Sequence, residues 1–267
     1  MASFLKLQLL GVVQGLAEFL PVSSSGHLAL LKNAFGLDSG GGNGPLLEVL
    51  LHLGTLIALL VFYRKRLVEL ACGVFRRDPE SLRYCLAVAV SCLPAALLYF
   101  LAHNAIERCF GAPVVVSCLL LFTGFMLLSL RKVPSATAVG SRQPGWLKAV
   151  MIGCAQAMAM LPGISRSGST YCAARWLKVG SKDAFDFSFL MSIPVIAGAV
   201  VLKARHFREL SECGSPVSLV CAAAVAGIVG YFALKALSLI RIAGRFWYFS
   251  FWCLAAGLVS LAIAVFS

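Results

Sequence analysis

The chain alternates long apolar runs with short charged punctuation, and the length of the runs is informative. Tyr84 to Ala102, Gly111 to Leu130, Cys213 to Leu234 and Phe246 to Ser267 carry no charge, and about 20 such residues in a helix cross about 30 Å of hydrocarbon. Each is predicted to span a membrane. Two shorter runs, around Val49 to Tyr63 and Phe187 to Leu202, complete a set of about six spans if polar residues at their starts are tolerated. Cationic segments separate the runs, the largest a loop from Arg64 to Arg83. One apolar stretch is too short for this pattern. Leu7 to Ala17 gives 11 uncharged residues before Glu18, about 16 Å of helix at 1.5 Å per residue, and Pro21 then breaks it. "GHLALLKNAFGL" follows as a half helix, so the whole segment reads as a re-entrant hairpin.

The hairpin has a double. Shifted by 142 positions, Gly11, Gln14, Ser23, Ser25 and Gly26 fall on Gly153, Gln156, Ser165, Ser167 and Gly168, and each tip follows a proline, Pro21 or Pro162. With a gap of about ten residues, Tyr99 then aligns with Tyr231 and Gly124 with Gly257. The chain is read as a single membrane domain, 1–267, built from internal repeats 1–135 and 143–267 that are joined by a loop near 134–145. Three spans per repeat invert the second copy relative to the first. The fold class is an all-α polytopic membrane protein, an inverted-topology repeat with two re-entrant helix hairpins and about six spanning helices. Non-helical backbone is permissible inside a membrane only where protein or a watery cavity surrounds it. The two tips are therefore expected to meet near the midplane, where inverted-repeat transporters bind substrate.

Composition agrees with the pattern and narrows it. Hydrophobic residues make up 60% of the chain and charged ones 13%, against roughly 45–50% and roughly 25% in soluble domains, and no polar stretch is long enough to house a soluble domain. The N-terminus has neither a cationic n-region nor an A-x-A site, so it does not read as a removable signal peptide. The ten cysteines are scattered without a C-x-x-C pair or zinc spacing and read as small hydrophobes. A net charge of +12 without a basic soluble module points to membrane-flanking loops and not to nucleic acid. With the Arg64 to Arg83 loop in the cytoplasm, sixteen of the 23 Lys and Arg residues fall inside and six outside, as the positive-inside rule requires. Only Arg166 is left within the membrane domain. The first hairpin then enters from outside, the second from the cytoplasm.

The tips are chemically apt for an anion. Each returning half helix starts just after a Ser/Gly tip, so a positive helix end points inward from both sides. Arg166 adds a planar fork able to grip two phosphate oxygens, and Ser23, Ser24, Ser25, Ser165, Ser167 and Thr170 add hydroxyls. Glu18 and Gln14 share a helix face at i, i+4 and could hold Mg²⁺ or Ca²⁺, with substrate phosphates completing the shell. Glu48 and His52 repeat that spacing on the next helix, and Glu48 is a further candidate ligand. His27 is a candidate proton carrier near neutral pH. A central charge costs roughly 2.5–3.5 kcal/mol even on the lenient insertion scale, so Glu18 and Arg166 form either a functional site or a structural ion pair.

"QGLAEFLPVSSSGH" (14–27) and "PGISRSGST" (162–170), with "FSFLMSIPVIAGA" (187–199), resemble the signature motifs of the undecaprenyl-diphosphate phosphatase, or bacitracin-resistance, family, and the resemblance covers essentially the whole chain. It implies a multi-pass protein of the bacterial cytoplasmic membrane. It further implies that the enzyme hydrolyses undecaprenyl diphosphate to the monophosphate at a metal-assisted site facing the extracytoplasmic side. The family's motif positions fall on Gln14, Glu18, Ser24, His27, Ser165, Arg166, Ser167 and Thr170, with Gly26 and Gly168 in the same tips. Gln14 stands where many members have Glu, so Glu18 must supply the carboxylate, with Glu48 as a possible second. In the mechanism so implied, Ser24 or an activated water attacks the terminal phosphorus, and His27 or Glu18 takes the proton. A carrier or flippase of an anionic isoprenyl lipid is the alternative, because broken helices at the midplane also suit transport. Homo-oligomerisation is left open.

Overall fold

The computed structural model describes residues 2–35, 44–133, 143–202 and 216–266. Among them every regular element is helical. In the first half these are α1 (Ala2–Phe19), α2 (Ser24–Phe35), α3 (Gly44–Phe62), α4 (Arg64–Phe75), α5 (Pro79–Phe110) and α6 (Pro113–Ser129). The second half has α7 (Trp146–Met158), α8 (Arg166–Trp176), α9 (Ser181–Leu190), α10 (Ser192–Leu202), α11 (Pro216–Ile242) and α12 (Phe249–Phe266). Among the described residues five stretches are long and apolar enough to cross a membrane, and the count reaches six if α3 and α4, bent by 71° at their junction, are taken as one span. The protein is a polytopic all-α membrane protein. The joining loop expected near 134–145 falls mostly outside the described residues.

Three details differ from the expectation. The segment from Arg64 to Arg83 is not a loop: after the bend at Tyr63 it forms α4, which opens with Arg64, Lys65 and Arg66 and leaves the apolar Val68 and Phe75 exposed, as in a helix lying in the interfacial plane. α5 then starts within the same segment, with Pro79 in its first turn and the Asp78 carboxylate accepting from the Ser81 N–H at 2.8 Å. α1 is 18 residues long, because one lysine at position 6 does not end a helix that is otherwise apolar. The run ending at Leu202 is divided at Met191 into α9 and α10.

Each hairpin arm is gripped by the opposite half. A Cβ added to Gly11 of α1 would lie 2.5 Å from the Ala222 carbonyl oxygen of α11, and one added to Gly153 of α7 would lie 2.3 Å from the Ser91 carbonyl oxygen of α5. Only hydrogen fits at either place. α6 and α12 pack in the same reciprocal way, Gly124 against Leu254 and Gly257 against Leu121. α3 lies tightly along α11, where a Cβ on Gly54 would meet the Ala223 carbonyl oxygen at 2.1 Å. The corresponding pair, α5 and α10, stands apart, and the main cavity lies between them. Pro94 interrupts the hydrogen bonding of α5 beside this cavity.

One end of the molecule gathers the cations. There Tyr63 Oη donates to Asp186 at 3.1 Å, the Arg131 guanidinium lies 5.4 Å from the Trp247 ring centre, and Arg66 and Arg241 lie against Tyr84 and Phe185. These contacts join the ends of α3, α5, α6, α9, α11 and α12 that the charge count assigns to one side.

Candidate active site

The tips are built alike and touch. Ser23 adopts φ +69°, and its Oγ accepts from the Gly26 N–H at 3.3 Å, capping α2. In the second half Ser165 Oγ accepts from the Gly168 N–H at 3.1 Å, capping α8. Ser25 and Ser167 sit 3.3 Å from these capping hydroxyls. A Cβ on Gly26 would lie 3.2 Å from Gly163 Cα, and one on Gly168 would lie 3.3 Å from Pro21 Cβ. Positions 21 and 163, like 26 and 168, are 142 apart, so the two contacts are a reciprocal pair. α12 and α6 secure the tips from behind: Cys253 Sγ donates to the Pro21 carbonyl at 3.4 Å and Thr123 Oγ1 to the Gly163 carbonyl at 2.8 Å.

Glu18, at the end of α1, is the hub. Its Oε1 accepts from an Arg166 guanidinium nitrogen at 2.5 Å, and its Oε2 from Ser24 Oγ at 2.8 Å and Gln14 Nε2 at 2.9 Å. His52 Nε2 approaches the same Oε2 at 3.8 Å, while its Nδ1 is 2.8 Å from the Glu48 carbonyl. Its side chain is only 4% exposed, so the carboxylate is desolvated and its charge is matched by Arg166. The Ser24 hydroxyl thus already points its proton at a carboxylate oxygen.

A cavity of about 480 Å³ opens from this hub. Its polar end is formed by Glu18, Ser23, Ser24, Ser25, Ser165 and Arg166, with Glu48, His52 and Gln156 beside them. A mostly apolar arm, with His103 and Glu107 on its α5 wall, runs between α5 and α10 from Ala95 and Pro194 towards Phe110 and Leu202. It ends near Phe110, at the end of α5 remote from Tyr84 and Arg66.

The other sequence candidates lie behind this wall. Ser167 Oγ donates to the Leu20 carbonyl, and Thr170 Oγ1 to the Arg166 carbonyl at 2.8 Å; both hydroxyls hold the tip together, as do Gly26 and Gly168. His27 turns away from the cavity. One ring nitrogen, Nδ1, is 2.9 Å from the Ser23 carbonyl, the other accepts from the Trp252 indole at 3.0 Å, and the two rings stack at 16°. A proton leaving Ser24 therefore meets Glu18 first. Sequence reasoning did not identify His52 as a neighbour of Glu18, the α5 and α10 walls, or the placement of Gln156 in the cavity. Gln156 had left a trace in the repeat alignment and His52 in its spacing from Glu48, but neither pattern pointed to the cavity.

The residues present fit a hard cation only in part. Both oxygens of Glu18 are engaged, and Gln14 turns its amide nitrogen towards that carboxylate. No three His, Cys, Asp or Glu side chains converge as a metal cage among the described residues. The carboxylates of Glu18 and Glu48 in one cavity suit an ion that draws most of its shell from substrate phosphates, the usual habit of Mg²⁺.

Comparison with known proteins agrees with the sequence motifs. The family model described as "Bacitracin resistance protein BacA" matches residues 7–259. A protein named undecaprenyl-diphosphatase in Methanococcus vannielii is 38% identical over 250 residues, covering 94% of this chain and 96% of that relative. Proteins of the same name in Rhodopirellula baltica and Thermotoga maritima are each 36% identical, covering 97% and 94% of this chain and 97% of each relative. With its paired tips, shared cavity and near full-length match, the chain belongs to the bacitracin resistance protein BacA family.

Proposed function

We propose that the protein is a membrane phosphatase that hydrolyses undecaprenyl diphosphate to undecaprenyl phosphate and inorganic phosphate, recycling the cell-wall lipid carrier and conferring bacitracin resistance. The observation that carries this reading is the Ser24–Glu18–Arg166 constellation at the polar end of a cavity whose other arm is mostly apolar, with His103 and Glu107 among its lining residues. A diphosphate headgroup matches the first part and an isoprenyl tail the second. The names of the relatives support the same substrate.

In this mechanism Arg166 and the starts of α2 and α8 neutralise the headgroup, since charge stabilisation is most of the catalytic task in phosphoryl transfer. Ser24 Oγ attacks the terminal phosphorus and its proton passes to Glu18 Oε2. The bond from that phosphorus to the bridging oxygen breaks, and the lipid monophosphate leaves with the oxygen and its electron pair. Water then cleaves the serine phosphate and releases inorganic phosphate. A divalent ion, Mg²⁺ or Ca²⁺, held by Glu18 and Glu48, would supply further charge neutralisation on the phosphates. Ser23, Ser25 and Ser165 are the substrate-facing hydroxyls, while Ser167, Thr170, Gly26, Gly168 and His27 keep the tips in shape.

The halves 1–135 and 143–267 act as inverted copies, with the cavity facing the extracytoplasmic side. The reciprocal tip contacts and the gathering of cations at the opposite end support this orientation. A carrier reading has one observation in its favour: the α3–α11 pair is closed while its counterpart, α5–α10, is open, the asymmetry that alternating access would use.

Phosphate release by purified protein in detergent separates the two, because transport has no meaning there. We expect wild type to release phosphate from polyprenyl diphosphate with added Mg²⁺ or Ca²⁺. Ser24→Ala should lose turnover yet still bind the lipid. A wild type that releases none under any divalent ion would leave the carrier, and full turnover by Ser24→Ala would transfer the nucleophile's role to water.

A further inference from the structure

Gln156 of α7 is 2% exposed and lines the same cavity as Arg166. Neither its Nε2 nor its Oε1 has a hydrogen-bond partner. A buried amide left unmatched bears the full cost of desolvating its donors and acceptor, whereas an apolar side chain of the same shape would avoid it. The counterpart 142 positions earlier, Gln14, does not stand in this position, because its Nε2 donates to Glu18 four residues on. In the second half the residue four after Gln156 is Met160. The second glutamine thus occupies the same register without a carboxylate to bind, its amide buried and unpartnered in a residue that lines the site.

We infer that Gln156 is a further substrate-contacting residue, its amide N–H₂ donating to a non-bridging phosphoryl oxygen of the diphosphate. The inference rests on the function proposed above. Its electrostatic logic follows from the hub. Arg166 already shares its charge with Glu18, so a diphosphate entering the cavity needs additional donors that carry no compensating carboxylate. An unpaired amide meets that need, and its two-donor fork also fixes orientation. The pseudo-symmetric glutamines have therefore divided their work, Gln14 holding the carboxylate and Gln156 the headgroup.

The test compares full-length wild type, Gln156→Met and Gln156→Glu. Readouts are phosphate release from polyprenyl diphosphate, binding of a non-hydrolysable prenyl methylenediphosphonate, and Tm. Gln156→Met keeps shape and removes the unmatched groups, so its Tm should be equal to or above that of wild type. Its kcat/KM should fall at least about tenfold, and the Kd of the methylenediphosphonate should rise by a similar factor. Gln156→Glu adds a negative charge and should weaken methylenediphosphonate binding further. A Gln156→Met protein that keeps both kcat/KM and Kd within twofold overturns the inference and leaves Gln156 hydrated only. A loss accompanied by an equivalent fall in Tm overturns it in favour of a structural role. If wild type releases no phosphate, hydrolysis fails as the function, while the binding comparison still decides the part played by Gln156.

Discussion

Replacing Glu18 by Gln changes one atom and tests the hub directly. The neutral amide cannot hold Arg166 as an ion pair, and one of its two heads must now donate where Ser24, Gln14 and Arg166 all donate already. Removing one partner of a buried pair costs about 3–5 kcal/mol. Arg166 keeps 18% of its side-chain exposure and can draw on water, which lowers the expected cost to about 2–3 kcal/mol. At about 2–4 °C per kcal/mol for a chain of this size, Tm should fall by roughly 4–12 °C. Activity should fall further, because the variant also loses its proton acceptor, a contribution of about 10²–10⁴ in rate. Phosphate release should drop at least about 100-fold in kcat/KM at temperatures where the variant remains folded. A double-mutant cycle with Arg166→Gln isolates the pair, with an expected coupling of about 1–3 kcal/mol in Tm-derived stability. A Glu18→Gln protein within threefold of wild-type kcat/KM, or a coupling near zero, would refute the account of the site.

Three further outcomes follow from other contacts. His27→Ala should lower Tm and kcat/KM together, because the ring bridges the Ser23 carbonyl and Trp252, and Trp252→Phe should produce a smaller version of the same effect; an inactive His27→Ala protein of unchanged Tm would make His27 the proton carrier. In a cysteine-free background, an impermeant thiol reagent applied to intact cells should label Asn104→Cys near the cavity mouth but not Arg77→Cys, and the reverse pattern would overturn the orientation. Gly153→Ala, whose new methyl would lie 2.3 Å from the Ser91 carbonyl oxygen, should lower Tm by several degrees, whereas Gly145→Ala, with nothing within 4 Å, should not; equal Tm values would mean that α5 and α7 are not clasped as described.

The spans, the break after Glu18 and the second tip could be read from the sequence because each depends on local rules: apolar length, Pro21 and Pro162, and the Ser/Gly spacing. α4 was hidden because a cationic stretch beside a membrane looks like a loop until Leu67 and Leu70 are seen packed against the core. The pairing of Glu18 with Arg166 could be inferred from the cost of two isolated membrane charges. The orientation of His27 could not be. A histidine one residue past three serines is equally placed to serve them or to brace them, and the choice is made by Trp252, which lies 225 positions away. His52 was noticed for its spacing from Glu48, yet its approach to Glu18 depends on how α3 packs against α1, a tertiary distance with no signal in one chain. Gln156 was visible as half of a repeat. Its unmatched amide became apparent only when Met160 was placed where the first half has Glu18.

The reach of the Glu18–Arg166 bond also constrains how the chain is made. The partners are 148 positions apart, so at about 5–20 residues per second of synthesis the carboxylate emerges roughly 7–30 s before its guanidinium. Until then the first tip lacks both its counter-charge and the Gly163 backbone that it packs against. The first hairpin can be delivered to the membrane but cannot settle there until the second hairpin, and then α11 and α12, have followed. The cavity itself is complete only when α10, which supplies one of its walls, has also been made. A nascent chain cut short at the midpoint would be a membrane protein with every span of its first half and no site at all.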